Sequence, residues 1–167
     1  MTEKSWTEIQ ALAVKAATGA AVPPAQALAF GAMATRHLAD GGPEAPLSEA
    51  LSDSGTIVDL AHQIEAVIET ASISEQPVRV SEQNSGRRAL LISWLASLPC
   101  QAETNATSAE IRVRLSLTDP SARTRPARVH IGTALFDQMQ DLAARTYVPD
   151  SDASRSTGAG AGLMDLD

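Results

Sequence analysis

Ile57, Ala61, Ile64, Ile68 and Ala71 fall at i, i+4, i+7, i+11 and i+14, the stripe of one helical face, and the helix they predict starts near Ser54. Upstream, Ile9, Leu12, Ala13 and Ala16 have the same spacing and end at Gly19; Ser5-Trp6-Thr7-Glu8 before them has the form of a capping box. Pro23-Pro24 suits the first turn of a second helix with Leu28, Phe30, Met33 and Leu38 as its apolar positions, stopped by Asp40-Gly41-Gly42-Pro43. A short connection and many alanines predict that these two helices pack antiparallel. Residues 44–52 suit a short turn of helix around Leu47 and Leu51.

Beyond Gln76-Pro77 the period changes. Val78 and Val80 alternate as in a short strand, and residues 81–87 read as a polar loop. Ala89–Leu98 fits a helix through Leu91, Leu95 and Leu98, or a buried strand through Leu90-Leu91-Ile92; length favours the helix. Residues 101–109 read as a polar connector. Ile111, Val113, Leu115 and Leu117 then alternate with Arg112, Arg114 and Ser116, a half-buried strand with its basic residues outward. After Asp119-Pro120, Arg128–Ile131 reads as the returning strand of a hairpin. A last helix from Gly132-Thr133 carries Leu135, Met139, Leu142 and Ala143 inward, and Tyr147-Val148-Pro149 closes it. The expected fold is therefore α+β and mainly helical. It has an N-terminal antiparallel helix pair and a third helix packed with a small antiparallel sheet, which is a C-terminal β-hairpin followed by a helix. Residues 1–149 form one globular domain and residues 150–167 a Gly/Ala-rich, acidic-ended tail.

Composition narrows the class. The chain is 44% apolar but only 3% aromatic, so close packing through alanine is the expected source of stability. The formal charge of −7 is uneven: up to residue 78 there are three basic and ten acidic residues, and from 79 onward ten of each. An acidic front half does not suit nucleic acid, where phosphate contacts dominate affinity; attraction between this half and the arginine-rich back is expected instead. Cys100 is the only cysteine, which excludes an internal disulfide and fits a reducing compartment. No basic start with an apolar run marks a signal peptide, and the uncharged stretch between Lys15 and Arg36 is a poor membrane span. A cytoplasmic protein is expected, with no membrane or nucleic-acid partner.

Among chemistry-bearing residues the arginines come first. Arg112, Arg114, Arg123, Arg125 and Arg128 lie within seventeen residues that hold one acid, Asp119. On a hairpin they would share a face able to grip carboxylate or phosphate in two-point fashion; the plainer reading is a charged outer face that keeps an edge soluble. Tyr147 between Arg145 and Arg155 could line an anion pocket or cover the edge of the core. The run Gly158-Ala159-Gly160-Ala161-Gly162 lacks the strand, helix and Gly-Lys-Ser of a phosphate loop, and reads as a flexible tail or a closely packed backbone. His62 with Asp59 and Glu65 offers one carboxylate–imidazole face, short of the repeated pattern of a di-metal bundle, and His37 is the other helical histidine. No metal or other cofactor is expected. A nucleophilic Cys100 would need a base such as His130 beside it; a free cysteine is usually buried and inert.

Two stretches resemble an uncharacterised bacterial family known only as a domain of unknown function. One is Thr7-Glu8-Ile9-Gln10-Ala11-Leu12-Ala13-Val14-Lys15-Ala16-Ala17 with Gly19. The other is Ala144-Arg145-Thr146-Tyr147-Val148-Pro149, followed by Ser154-Arg155 and the glycine run. The resemblance implies no activity, substrate or cofactor, but it implies an ordered tail. The chain departs from it at Thr18–Ala21, where relatives carry an arginine and a further glycine, and at Leu166 between the final acids.

The function expected from these residues is non-catalytic: a binding or accessory protein, homodimeric, with Arg145, Tyr147, Arg155 and the backbone of Gly158, Gly160 and Gly162 as its interaction surface. The alternative is a small enzyme or carrier for an anionic metabolite. There Arg112 or Arg114 with Arg145 would hold a carboxylate or phosphate, and Tyr147 or His130 would donate the proton.

Overall fold

The computed structural model describes residues 2–74 and 76–146. Tyr147, Arg155 and the glycines at 158, 160 and 162 lie outside the described residues, as does the expected tail. In chain order the elements are β1 (Thr2–Ser5), α1 (Trp6–Gly19), α2 (Pro24–Ala39), α3 (Ala45–Ser52), α4 (Ser54–Ile73), β2 (Val78–Ser81), α5 (Ser85–Ser97), β3 (Cys100–Ala106), β4 (Glu110–Pro120), β5 (Arg128–Ile131) and α6 (Thr133–Ala144). The class is α+β and mainly helical, as the periodicity predicts. No helix among the described residues is long and apolar enough to cross a membrane.

The capping box forms. Ser5 Oγ accepts from the Glu8 N–H at 3.2 Å, and Glu8 Oε2 accepts from the Ser5 N–H at 2.8 Å. α1 therefore starts at Trp6, with Ile9, Ala13, Ala16 and Ala17 buried. It lies antiparallel to α2: Gly31 of α2 faces Val14 and Gln10, while the end of α2 stands beside Trp6. A Cβ at position 31 would sit 2.3 Å from Val14 Cγ2, so the missing side chain lets the two backbones approach.

Helix α2 is the centre of the molecule and is packed by α1, α4, α5 and β5. Phe30 and Met33 are fully buried on it, and truncating a residue such as Phe30 would cost about 3–5 kcal/mol. His37, also buried, bonds on both sides of its ring. Nε2 donates to the Pro43 carbonyl at 2.8 Å, and Nδ1 meets Ser93 Oγ at 2.8 Å. It thus joins the end of α2 to the following turn and to α5. The metal reading of this histidine gives way to that of a satisfied core residue.

The ambiguous stretch 89–98 is helical. Asn84 Oδ1 accepts from the Arg87 N–H at 2.9 Å and starts α5 at Ser85, so the loop expected through residue 87 ends at 84. Leu90, Leu91, Trp94 and Leu95 form the buried face.

The sheets depart from expectation. Residues 101–109 are not a connector: most belong to β3, which pairs antiparallel with β4. The Thr107 N–H bonds Glu110 O at 2.8 Å across the tight turn between them. The three-stranded sheet has the order β2-β4-β3 and lays Ile111 and Val113 into the core. β5 does not return along β4. It pairs with β1, Thr2 opposite Ile131 and Ser5 opposite Arg128, in a separate two-stranded sheet. Over Ile111–Val113 both edges of β4 are already taken by β2 and β3, so a third partner has no free backbone there. The hairpin is made one strand earlier than the alternation suggested.

Candidate functional site

Between the β4–β5 connection and the α1–α2 pair lies a cleft of about 370 Å3. Its cationic side is Arg36, Arg123 and Arg125, its apolar lining is the floor of Ala32, Ala96, Leu98 and Pro99, Gln10, Ser97 and Ser121 add polar groups, and Trp6 stands within it. Each of these side chains is positioned by a local rule. Trp6 is the first residue of α1, fixed by the Ser5 cap, and its indole N–H donates to Gln10 Oε1 one turn on at 3.1 Å. Arg36 is in the last turn of α2, where a cation is favoured by the helix dipole.

The Arg36 guanidinium is almost wholly buried, at 9% side-chain exposure, and is held on three sides. Nε donates to Asp40 Oδ2 at 3.0 Å and Nη2 to Asp40 Oδ1, a two-point pair within one helical turn. Nη1 donates to Thr124 O at 2.9 Å and so ties the β4–β5 connection to the helix. The ring of Trp6 lies 5.3 Å from this guanidinium.

The connection, residues 121–127, is a strap. The Ser121 N–H bonds Pro99 O at 2.9 Å, Arg123 Nη1 lies 3.4 Å from Asp40 Oδ2, and Arg125 lies 5.7 Å from the Trp6 ring. Trp6 thus has two guanidinium groups at its ring, each cation–π contact contributing about 0.5–1 kcal/mol where exposed. Arg125 pairs with no carboxylate among the described residues. The arrangement presents positive charge next to an apolar floor, the chemistry of an anion-binding cleft.

The residues singled out by sequence are dispersed. Arg112 is exposed on β4 and pairs with Glu110 at 2.8 Å, which holds the Glu110 carboxyl below its ordinary value. Arg114, opposite Glu103 in the β3–β4 register, lines a hollow with Ile73 and Gln76 at the end of α4. Arg145 caps α6 and lines a different hollow with Asp137 and Asp141. Arg128 faces Ser5 on the other sheet. Of the five clustered arginines only Arg123 and Arg125 share a cleft. His130 stands on β5 opposite Glu3, 3.8 Å from its carboxylate, and Cys100 opens β3 opposite Pro120; the two belong to different sheets. His62 is exposed, and no group of three or more His, Cys, Asp or Glu among the described residues could hold a metal.

Trp6 and Arg36 were not legible as site residues. The one available signal was an arginine three residues after Met33 on the buried side of α2, an unusual place for a charge. No family model matches the chain and no curated protein or solved structure matches it, so the resemblance to a family of unknown function rests on the quoted residues alone.

Proposed function

We propose that this chain is a non-catalytic binding protein whose ligand is a small organic anion held in the Trp6 cleft. The observation that carries this reading is the convergence of Arg36, Arg123 and Arg125 on one cleft whose lining also includes apolar Ala32, Ala96, Leu98 and Pro99. Guanidinium groups keep their proton throughout the physiological range, so they hold charge rather than transfer protons. That favours binding over acid–base chemistry and moves the anion-holding role from Arg112, Arg114 and Arg145 to the strap.

The test is thermal unfolding in millimolar carboxylates and phosphate, with an Arg123→Gln/Arg125→Gln double variant as control. Anions such as phosphate stabilise many proteins through exclusion from their surface, so only the difference between the two proteins counts. A ligand at ten times its Kd should stabilise the parent by about 1.4 kcal/mol, and the variant should lose that increment. Equal responses of parent and variant to every anion would remove the reading.

A second reading, an accessory protein acting as a homodimer, is favoured by a separate feature. β4 continues past its pairing with β2, so residues 114–120 have no strand on that edge among the described residues. Ile73 (84% exposed) and Leu117 (44%) lie at this end of the sheet. A two-fold axis through Ser116 would set Leu115 of one copy against Leu117 of the other in an antiparallel pair.

A further inference from the structure

The charges around the cleft do not cancel, and the remainder specifies the ligand more closely than "anion". Three guanidinium groups line it, and no lining residue is acidic. The nearest carboxylate, Asp40, is shared: Oδ2 accepts from Arg36 Nε at 3.0 Å and also faces Arg123 Nη1 at 3.4 Å. One carboxylate set against two guanidinium groups leaves one positive charge. Arg125, held only over the Trp6 ring, adds a second. Two uncompensated charges remain within a chain whose formal total is −7.

Their placement is also informative. Arg123 and Arg125 are two residues apart on the strap and line the same cleft, while Thr124 between them gives its carbonyl to Arg36. In an extended chain such positions lie on the order of 6–7 Å apart. The floor includes Ala32, Ala96, Leu98 and Pro99, which offer hydrocarbon contact, while Gln10, Ser97 and Ser121 supply the polar remainder of the lining. A single compact anion, such as inorganic phosphate, would satisfy the charges but leave that floor uncovered.

We propose, on the basis of the anion-binding reading above, that the ligand is a short-chain dicarboxylate. One carboxylate meets Arg123, the other meets Arg125, and the methylene spacer lies on the floor. Each planar carboxylate can accept two parallel N–H bonds from a guanidinium fork. Arg36 stays with Asp40 and Thr124 and acts as a positioning residue: it holds the strap, and with it the other two forks, against α2.

The experiment is calorimetric titration of the full chain with glutarate, butyrate and inorganic phosphate, in the parent and in Arg125→Gln, with circular dichroism to verify that the exposed-site variant folds. Glutarate should bind at least tenfold tighter than butyrate and than phosphate. In Arg125→Gln the advantage over butyrate should fall to within about threefold, with butyrate itself still bound. Glutarate and butyrate binding with equal affinity would overturn the dicarboxylate assignment and leave the anion-binding function standing. Phosphate binding as tightly as glutarate would overturn the spacer. Failure of all three to bind would remove the dicarboxylate and also count against the broader reading.

Discussion

Ala21 holds φ at 65°, the only non-glycine among the described residues with positive φ. It occupies the left-handed position after α1, where Val22 N–H reaches Ala17 O and Ala21 N–H reaches Thr18 O. The same pair of bonds closes α2, from Gly42 to His37 and from Gly41 to Leu38, but there the left-handed residue is Gly41, at φ 75°. The backbone motif is identical, and the side chain is the difference. An L-residue in this region carries a penalty of roughly 1–2 kcal/mol, partly offset by the greater chain entropy that glycine loses on folding. Ala21→Gly should therefore raise stability by about 0.5–1 kcal/mol in urea unfolding, and a loss of stability would mean that the Ala21 methyl makes packing contacts that matter more. Glu8 supplies a second test. The Ser5 side-chain and backbone hydrogen bonds hold its carboxyl below the ordinary value. A carboxyl lowered on folding stabilises the native chain above its unfolded pKa, and this contribution disappears as pH falls through the lowered value. Glu8→Gln should be less stable than the parent at neutral pH, with the gap closing in acid; a gap independent of pH would show that the charge plays no part.

At the scale of elements, caps decide where helices begin, and one of them comes from far along the chain. The residue before α6 is Gly132, which has no side chain to cap the helix; Glu44, 88 residues earlier, accepts the Gly132 N–H at Oε1 with a 2.6 Å bond. A carboxylate at that end also complements the helix dipole. Glu44→Ala should cost about 1 kcal/mol, and Glu44→Gln, which keeps an acceptor without the charge, should cost less. Denaturant midpoints for the two variants check the order. Local caps were readable: Ser5-x-x-Glu8 announced α1. The Glu44 cap was not, because its donor and acceptor are neighbours only after folding. The same limit explains β3 and β1. Cys100–Ala106 and Thr2–Ser5 carry too few apolar residues to alternate visibly, and both are strands because β4 and β5 present backbone for them to pair with.

The whole molecule is a helical body centred on α2 with two separate small sheets, and its charge pattern follows that division. The acidic front and arginine-rich back do meet, at Arg123–Asp40 (3.4 Å) and Arg87–Asp59 (3.9 Å). Exposed pairs of this length contribute little to stability; their consequence is positional, since the first lays the strap over the cleft. The open end of the three-stranded sheet belongs to this scale too. If the copies associate through it, light scattering at tens of micromolar should give a dimer mass for the parent and a monomer mass for Leu117→Lys, which places a charge in the Leu115–Leu117 contact. A monomeric parent at that concentration would end the dimer reading, whereas the cleft chemistry would be untouched.

Helix positions, most of their inward residues and the buried Ile111 and Val113 of β4 were determined by the sequence alone, whereas Leu28 of α2 and Leu117 of β4, expected inward, are exposed. Each of the first three is a property of neighbours three, four or two residues apart, a range over which backbone geometry sets which side chains share a face. Strand partners, the capping of α6 and the destination of the arginines were decided by tertiary structure. Those depend on which backbone edge is still free and which loop is laid over which helix. Five arginines close together in sequence reached four places, and the two that stayed together did so because Arg36 anchors their strap beside Trp6.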